Sequence, residues 1–292
     1  MRYRLENDIL QVEIDSFGAE LKSVRSKETN EEFMWQADAK YWGRTSPILF
    51  PFVGGLKDKQ FKYDGNVYTM GQHGFARDME HTLISKNDSE IWFELRSDAD
   101  TLEKFPMNFK LNIGYQLKEN QVKVLWKVEN PDEKILHFSI GAHPAFNCPL
   151  YGETSKKGYS LWFQDADEIH HYGNPTKSGL VVEEDILMEL NDHKADITDD
   201  FFDRCTYMIE GGQTHAVGIQ DPNGRQYITV EFEMPIFAIW SPEKKNAPFI
   251  CIEPWWGRCD REDFDGTLEE REYGNKLKKG EVFTTEYTMI FN

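Results

Sequence analysis

The chain has 292 residues, with 51 Asp and Glu against 33 Lys and Arg. Its formal net charge of -18 repels phosphate backbones and anionic lipid surfaces, which argues against nucleic-acid and membrane partners. With 39% hydrophobic residues and 20 Phe, 12 Tyr and 8 Trp, it can fill a core and bears no mark of intrinsic disorder.

The opening MRYRLENDILQVEID has no apolar signal-peptide core, and no later run nears the roughly 18 apolar residues of a membrane span. Cys148, Cys205, Cys251 and Cys259 show no CxxC spacing, which fits reduced thiols in a cytoplasmic protein without structural zinc.

Period-two apolar alternation recurs along the chain. It predicts strands at 9–15, 19–24, 90–97, 109–117, 121–130, 227–233 and 282–291. Turn signals at Asn7-Asp8, Asp64-Gly65-Asn66, Glu119-Asn120 and Pro222-Asn223-Gly224 suit hairpins, so antiparallel neighbours are expected. Helices are expected only at 37–42 and 98–105, and polar stretches at 151–160 and 191–200 read as long surface loops. No linker or internal repeat divides the sequence. The fold class that follows is all-β, a large antiparallel sandwich forming a single domain over 1–292.

Four spots depart from this pattern. In YWGRTSPILFPFVGG (41–55), Arg44 sits among aromatic and proline residues, as a structural clamp or a donor to substrate hydroxyls. In GQHGFAR (71–77), glycines flank His73 and Arg77 follows four residues on. That spacing allows close ligand approach, although it also fits an ordinary turn.

In HFSIGAHPAF (137–146), alternation places Ser139, Gly141 and His143 on one face, with open space beside the imidazole. Pro144 puts His143 where a strand ends or bulges. In PFICIEPWWG (248–257), the same design repeats: Phe249, Cys251 and Glu253 share a face and Pro254 follows the carboxylate. Glu253 reads either as a buried ion-pair partner or as a desolvated general base.

The ordered set GAEL (18–21), WGRTSPILFPFVG (42–54), QHGFAR (72–77), GAHPAFN (141–147), IFAIW (236–240) and CIEPWWG (251–257) spans nearly the whole chain. It resembles the galactose mutarotase-like superfamily, and within it the LacX-like aldose 1-epimerases. The resemblance implies a β-sandwich with a sugar cleft across its concave sheet, a small-molecule sugar substrate, and neither cofactor nor metal.

Carried over by position, Glu253 looks like the base that takes the anomeric hydroxyl proton and His143 like the acid that protonates the ring oxygen. His73 looks like the second histidine that orients the substrate, and Arg44 and Arg77 like hydroxyl or anion contacts. The family's aspartate falls in FFDRCTYMI, where either Asp203 or Cys205 takes the place, and Trp240, Trp255 and Trp256 are candidates to stack on the sugar, with at least one of them expected in the core instead.

Anomer interconversion needs one proton donor and one acceptor at a hemiacetal. A carboxylate and a histidine supply both and exchange roles between ring opening and closure. In this reading Glu253 is ionised and His143 protonated, with aromatic neighbours raising the carboxyl only partway. Two other functions use the same residues: a sugar-sensing protein that binds without turnover, and a metal enzyme with His73, His143 and Glu253 as a 2-His-1-carboxylate triad.

Overall fold

The computed structural model describes residues 1–150, 155–174, 179–182, 185–203 and 206–292. Strict alternation produces the longest pairings. Gln121–Glu129 buries every second side chain and pairs along its full length with Lys110–Lys118 on one side and Val282–Phe291 on the other. Asp64 and Gly65, both at positive φ, turn Gln60–Tyr63 back on Asn66–Thr69, the backbone that a two-residue hairpin loop requires.

These pairings build a nine-stranded sheet that runs in space through Lys194–Asp196, Ser160–Phe163, Ala216–Gln220, Gln226–Phe232, Val282–Phe291, Gln121–Glu129, Lys110–Lys118, Glu90–Arg96 and Thr82–Lys86. A second sheet runs through Asp185–Glu189, Glu168–Asn174, Thr206–Glu210, Ile236–Trp240, Phe249–Trp256, Ile140–Ala142 and Ile48–Leu49, with Ala145–Asn147 also paired to Phe249–Trp256. Every pairing between these strands is antiparallel.

The core lies between the two sheets. Val122, Val124, Val230 and Met289 of the first join Phe237, Ile239, Ile250 and Ile252 of the second in one buried cluster. Phe283 packs edge-on against Trp256, and Phe232 lies 5.1 Å from Phe237. The all-β sandwich expected from alternation is the architecture found. No helix among the described residues is long and apolar enough to cross a membrane.

Two local expectations fail. Residues 37–42 form a turn, because the Asp38 side chain accepts the Lys40 N–H while the Asp38 carbonyl accepts those of Tyr41 and Trp42. This local bonding outcompetes a helix. The stretch 191–200 contains a strand, Lys194–Asp196, at a sheet edge; of 151–160, residues 151–154 lie outside the described residues. The expected helix at 98–105 is present as Ala99–Lys104. Its Asp98 cap accepts from the Thr101 N–H while the Asp98 N–H donates to Thr101 Oγ1.

In Phe249–Trp256 the period of two decides function. Ile250 and Ile252 point into the core, and Phe249, Cys251, Glu253 and Trp255 point to the opposite face.

Candidate active site

Two short strands lie end to end along one edge of Phe249–Trp256. Gly141 pairs with Trp255, and Ala145 with Cys251. The two pairings share one register, which sets His143 directly across from Glu253 in the interval between them. Pro144 and Pro254 fall in that interval, and neither has an N–H to give to a ladder. The sheet is thus interrupted where these two ionisable residues meet, and each is the residue before a proline.

Opposed side chains on one sheet face are the closest cross-strand neighbours. His143 Nε2 lies 3.4 Å from Glu253 Oε2, with both side chains almost fully buried. Small residues surround the pair: Ala145 follows on the histidine side, Ala238 stands across from Glu253, and Gly141 lets the Trp255 ring approach. A Cβ on Gly141 would come within 2.5 Å of that ring.

His73 arrives from a separate loop. Its φ is +68°, and the loop is fixed to the chain at Gly54 by two hydrogen bonds. The His73 N–H donates to the Gly54 carbonyl at 2.9 Å, and the Gly54 N–H donates to His73 Nδ1 at 3.0 Å. With Nδ1 accepting, the neutral ring carries its proton on Nε2 and is a donor there. The neighbouring Gly74, at φ +67°, lies so close to the Phe50 carbonyl that a Cβ would sit 2.3 Å from the oxygen; only glycine fits.

The rings of His73 and His143 meet edge to face at 5.7 Å. The indole of Trp42 stacks on His143 at 4.6 Å, and Trp240 meets it edge-on at 5.3 Å. Together these residues line a cleft of about 310 Å³ that also contains Arg44, Gly54, Gln72, Arg77, Gly179, Thr206 and Trp255. That volume is of the order expected for a small-ligand site.

Arg44 and Arg77 share a single carboxylate. Arg44 Nη2 is 2.7 Å from Asp78 and Arg77 Nε is 3.7 Å from it, while Arg77 Nη2 donates to the Gln72 carbonyl. Two guanidinium groups on one half-exposed aspartate leave a net positive charge at the cleft.

Burial governs the protonation states. It holds the Glu253 carboxyl well above its ordinary range. Burial first, and then the charges of Arg77 and Arg44, lower His143 to about 3. His73 is pushed well down by burial, with Arg77 as the next cause, and Arg77 itself falls to about 10 through burial and repulsion from Arg44. Burial thus favours the uncharged form of each group, which corrects the expectation of a partly raised carboxyl beside an imidazolium. The cause is depth: sequence marks aromatic neighbours, but not that both groups lie beneath the surface.

Of the residues singled out in the sequence, Glu253, His143, His73, Arg44, Arg77 and Trp240 all line the cleft. Asp203 is elsewhere: its carboxylate accepts the Lys244 N–H at 2.9 Å and borders a small separate depression. Cys205 lies outside the described residues, and Thr206, in the same run, contributes to the cleft. Trp256 turns to the core and donates to Thr285 Oγ1.

Trp255, a stacking candidate in the sequence, lines the cleft, whereas Trp42, Gln72, Gly179 and Thr206 were missed as site residues. Trp42 and Gln72 stand beside Arg44 and His73 in the quoted motifs, which was an available signal, whereas nothing in the sequence marks Gly179. His73 stays outside the group whose donor atoms come together for a possible metal; among the described residues that group is His143, Cys251 and Glu253.

A family model described as aldose 1-epimerase matches residues 1–288. The chain is 30% identical over 285 residues, 95% of each chain, to the chromosomal protein LacX of Lactococcus lactis subsp. lactis. Among solved structures, a galactose mutarotase related enzyme from Lactobacillus acidophilus superposes with a TM-score of 0.93 at 33% identity, covering 100% of this chain and 97% of that one. A galactose mutarotase-like protein from Lactobacillus casei gives 0.91 at 28% identity over the full length of both. The matched span runs from the first strand to the last and includes every residue of the cleft, so this chain is a member of the aldose 1-epimerase family.

Proposed function

We propose that this protein is an aldose 1-epimerase that interconverts the α and β anomers of an aldohexose by acid–base ring opening and closure. The observation that carries the reading is the His143–Glu253 pair, 3.4 Å apart on the floor of a sugar-sized cleft. The anomeric hydroxyl and the ring oxygen are bonded to the same carbon. A donor and an acceptor this close reach both at once.

Ring opening takes a proton from the anomeric hydroxyl to Glu253 and delivers one from His143 to the ring oxygen, so the pair ends with the same number of protons. Rotation about the C1–C2 bond presents the other aldehyde face, and closure runs the transfers in reverse. The starting form, carboxylate with imidazolium, is a tautomer of the neutral resting pair. Sugar hydroxyls donating to Glu253 favour that tautomer when the cleft is filled, against the repulsion that Arg77 and Arg44 exert on the imidazolium.

The His73 Nε2–H is the further donor that steadies the developing aldehyde. Arg44 and Arg77 bind hydroxyl or anionic groups, and Trp240 offers an apolar face. A cytoplasmic single-domain protein fits the sequence reading.

The deciding experiment is exchange NMR between α and β anomers over a panel of free aldohexoses and their 6-phosphates. Accelerated exchange of at least one sugar is expected, and its loss in Glu253→Gln ties the rate to the pair. Saturable binding with no acceleration for any sugar would instead identify a sugar-sensing protein.

A further inference from the structure

We propose that the floor of the cleft is also a binding site for a zinc-type divalent cation, held by His143, Cys251 and Glu253, and that the cation competes with the sugar. Cys251 is two residues before Glu253 on the same strand face, fully buried beneath the cleft lining beside Trp35, Ala145 and Phe249. One donor atom from each of the three residues lies within 4.8 Å of the other two.

Tetrahedral zinc with metal–ligand bonds of about 2.0–2.3 Å has ligand–ligand edges of roughly 3.3–3.6 Å. The His143 Nε2 to Glu253 Oε2 separation of 3.4 Å already matches one such edge. With the donor atoms up to 4.8 Å apart, the thiol has up to about 1.2 Å to close, which calls for a rotation about its Cα–Cβ bond. A fourth position is left for water.

Charge favours the ion as well. Burial disfavours any net charge at this depth, whereas a dication with one thiolate and one carboxylate sums to zero. Loading the site releases one proton from the Cys251 thiol and one from the Glu253 carboxyl, and His143 binds through its free lone pair. A sulfur, a nitrogen and one oxygen select zinc or cobalt(II) over magnesium or calcium, which take all-oxygen sets. A bound ion occupies both the proton donor and the acceptor, so its effect on turnover is inhibitory. This sets it apart from a 2-His-1-carboxylate enzyme, which would use His73 and need its metal.

The proposal rests on the proposed function only for the inhibition readout; metal binding is measured without turnover. The full chain, freed of metal, is titrated with cobalt(II) and zinc, following the near-ultraviolet thiolate-to-cobalt charge-transfer band and heat. One zinc per chain, a thiolate band displaced by zinc, and no response to magnesium are expected. Adding a sugar that the protein binds should erase the band.

Cys251→Ala, with the isosteric Cys251→Ser as a second variant in case the first folds poorly, should lose the band. It should also weaken zinc binding by roughly 100-fold or more, since even outer-shell partners are worth about 10–100-fold. Anomer exchange in these variants should stay within about twofold of the parent and become resistant to zinc, because the acid–base pair is intact. A thiolate band that survives in both variants, or none in the parent, would overturn the site. Absence of anomer exchange alongside a Cys251-dependent band would overturn the proposed function and leave the site standing.

Discussion

Two clusters of buried ionisable groups lie within a few residues of each other, and they differ in the charge of their partners. Just past the Phe249–Trp256 strand, Arg258 is ion-paired with Glu210 at 2.8 Å and with Glu272. Arg271 donates to Asp260 at 2.7 Å and to the Arg258 carbonyl, and the other Asp260 oxygen accepts the Lys57 N–H. Among the described residues no arginine pairs with the Glu253 carboxylate, which faces the His143 imidazole, and the His143 Nδ1 has no hydrogen-bond partner there. The first cluster uses its charges to hold loops to the sheet. The second keeps groups ready to bond to something that is not part of the protein, which is how a site differs from a strut.

Removing one partner from each cluster tests that contrast. Asp260→Ala leaves the Arg271 guanidinium buried and unpaired. The expected loss is about 3–5 kcal/mol of folding stability, measured by urea unfolding, because breaking a buried pair leaves an uncompensated charge. Anomer exchange per folded molecule should hardly change. A stability loss below about 1 kcal/mol would mean that the pair is no better than an exposed one.

Glu253→Gln should do the opposite. Turnover falls by roughly 10²-fold or more, the usual worth of a general base. Stability at neutral pH should rise. A carboxyl whose folded pKa is raised contributes stability in full below its ordinary value of 4.5, and that contribution is lost as pH climbs toward the raised value. Glutamine has no such loss, so the variant's melting temperature should exceed the parent's at pH 8 and not at pH 4. Each kcal/mol corresponds to roughly 2–4 °C in a chain of comparable size. An unchanged rate would remove Glu253 from the chemistry, and an unchanged melting temperature would remove its desolvation.

The pH profile sharpens the comparison further. The active pair holds one proton, so kcat/KM should be a broad bell. Its acid limb appears when the pair gains a second proton at His143, which burial lowers to about 3, and its alkaline limb when the pair loses its only proton from the raised carboxyl. His143→Gln should destroy the bell and most of the rate, whereas His73→Gln should lower the rate but keep both limbs. The reverse result would exchange the two histidines. The smallest effect is expected from EDTA, which should leave exchange unchanged or raise it slightly by stripping adventitious zinc. Loss of activity restored by one metal would make the ion a participant.

Much of the fold was readable because alternation survives in strands with one face in the core. Gln121–Glu129 and Val282–Phe291 are examples. Short strands such as Ile140–Ala142 and Ala145–Asn147 were not separable by periodicity, since all but one of their residues are buried and their boundary is a proline-marked break. His143 and Glu253 were legible through that same break, an ionisable residue before a proline on each of two strands. Their direct opposition was not, because register depends on strand pairing and not on either segment alone. Asp203 was an ambiguity that local sequence could not resolve, and Gly179 contributes only backbone.

The doublet of Arg44 and Arg77 on Asp78 makes the cleft a small positive island in a molecule of net charge -18. At physiological ionic strength the screening length is about 8 Å, so the distant acidic surface fades with added salt sooner than the two nearby guanidinium groups do. A neutral hexose diffuses in at a rate indifferent to salt. An anionic sugar meets repulsion first and attraction last, so its capture quickens as salt rises to moderate levels. Under the proposed function, the ionic composition of the surrounding medium thus helps decide which of two chemically similar sugars fills the cleft.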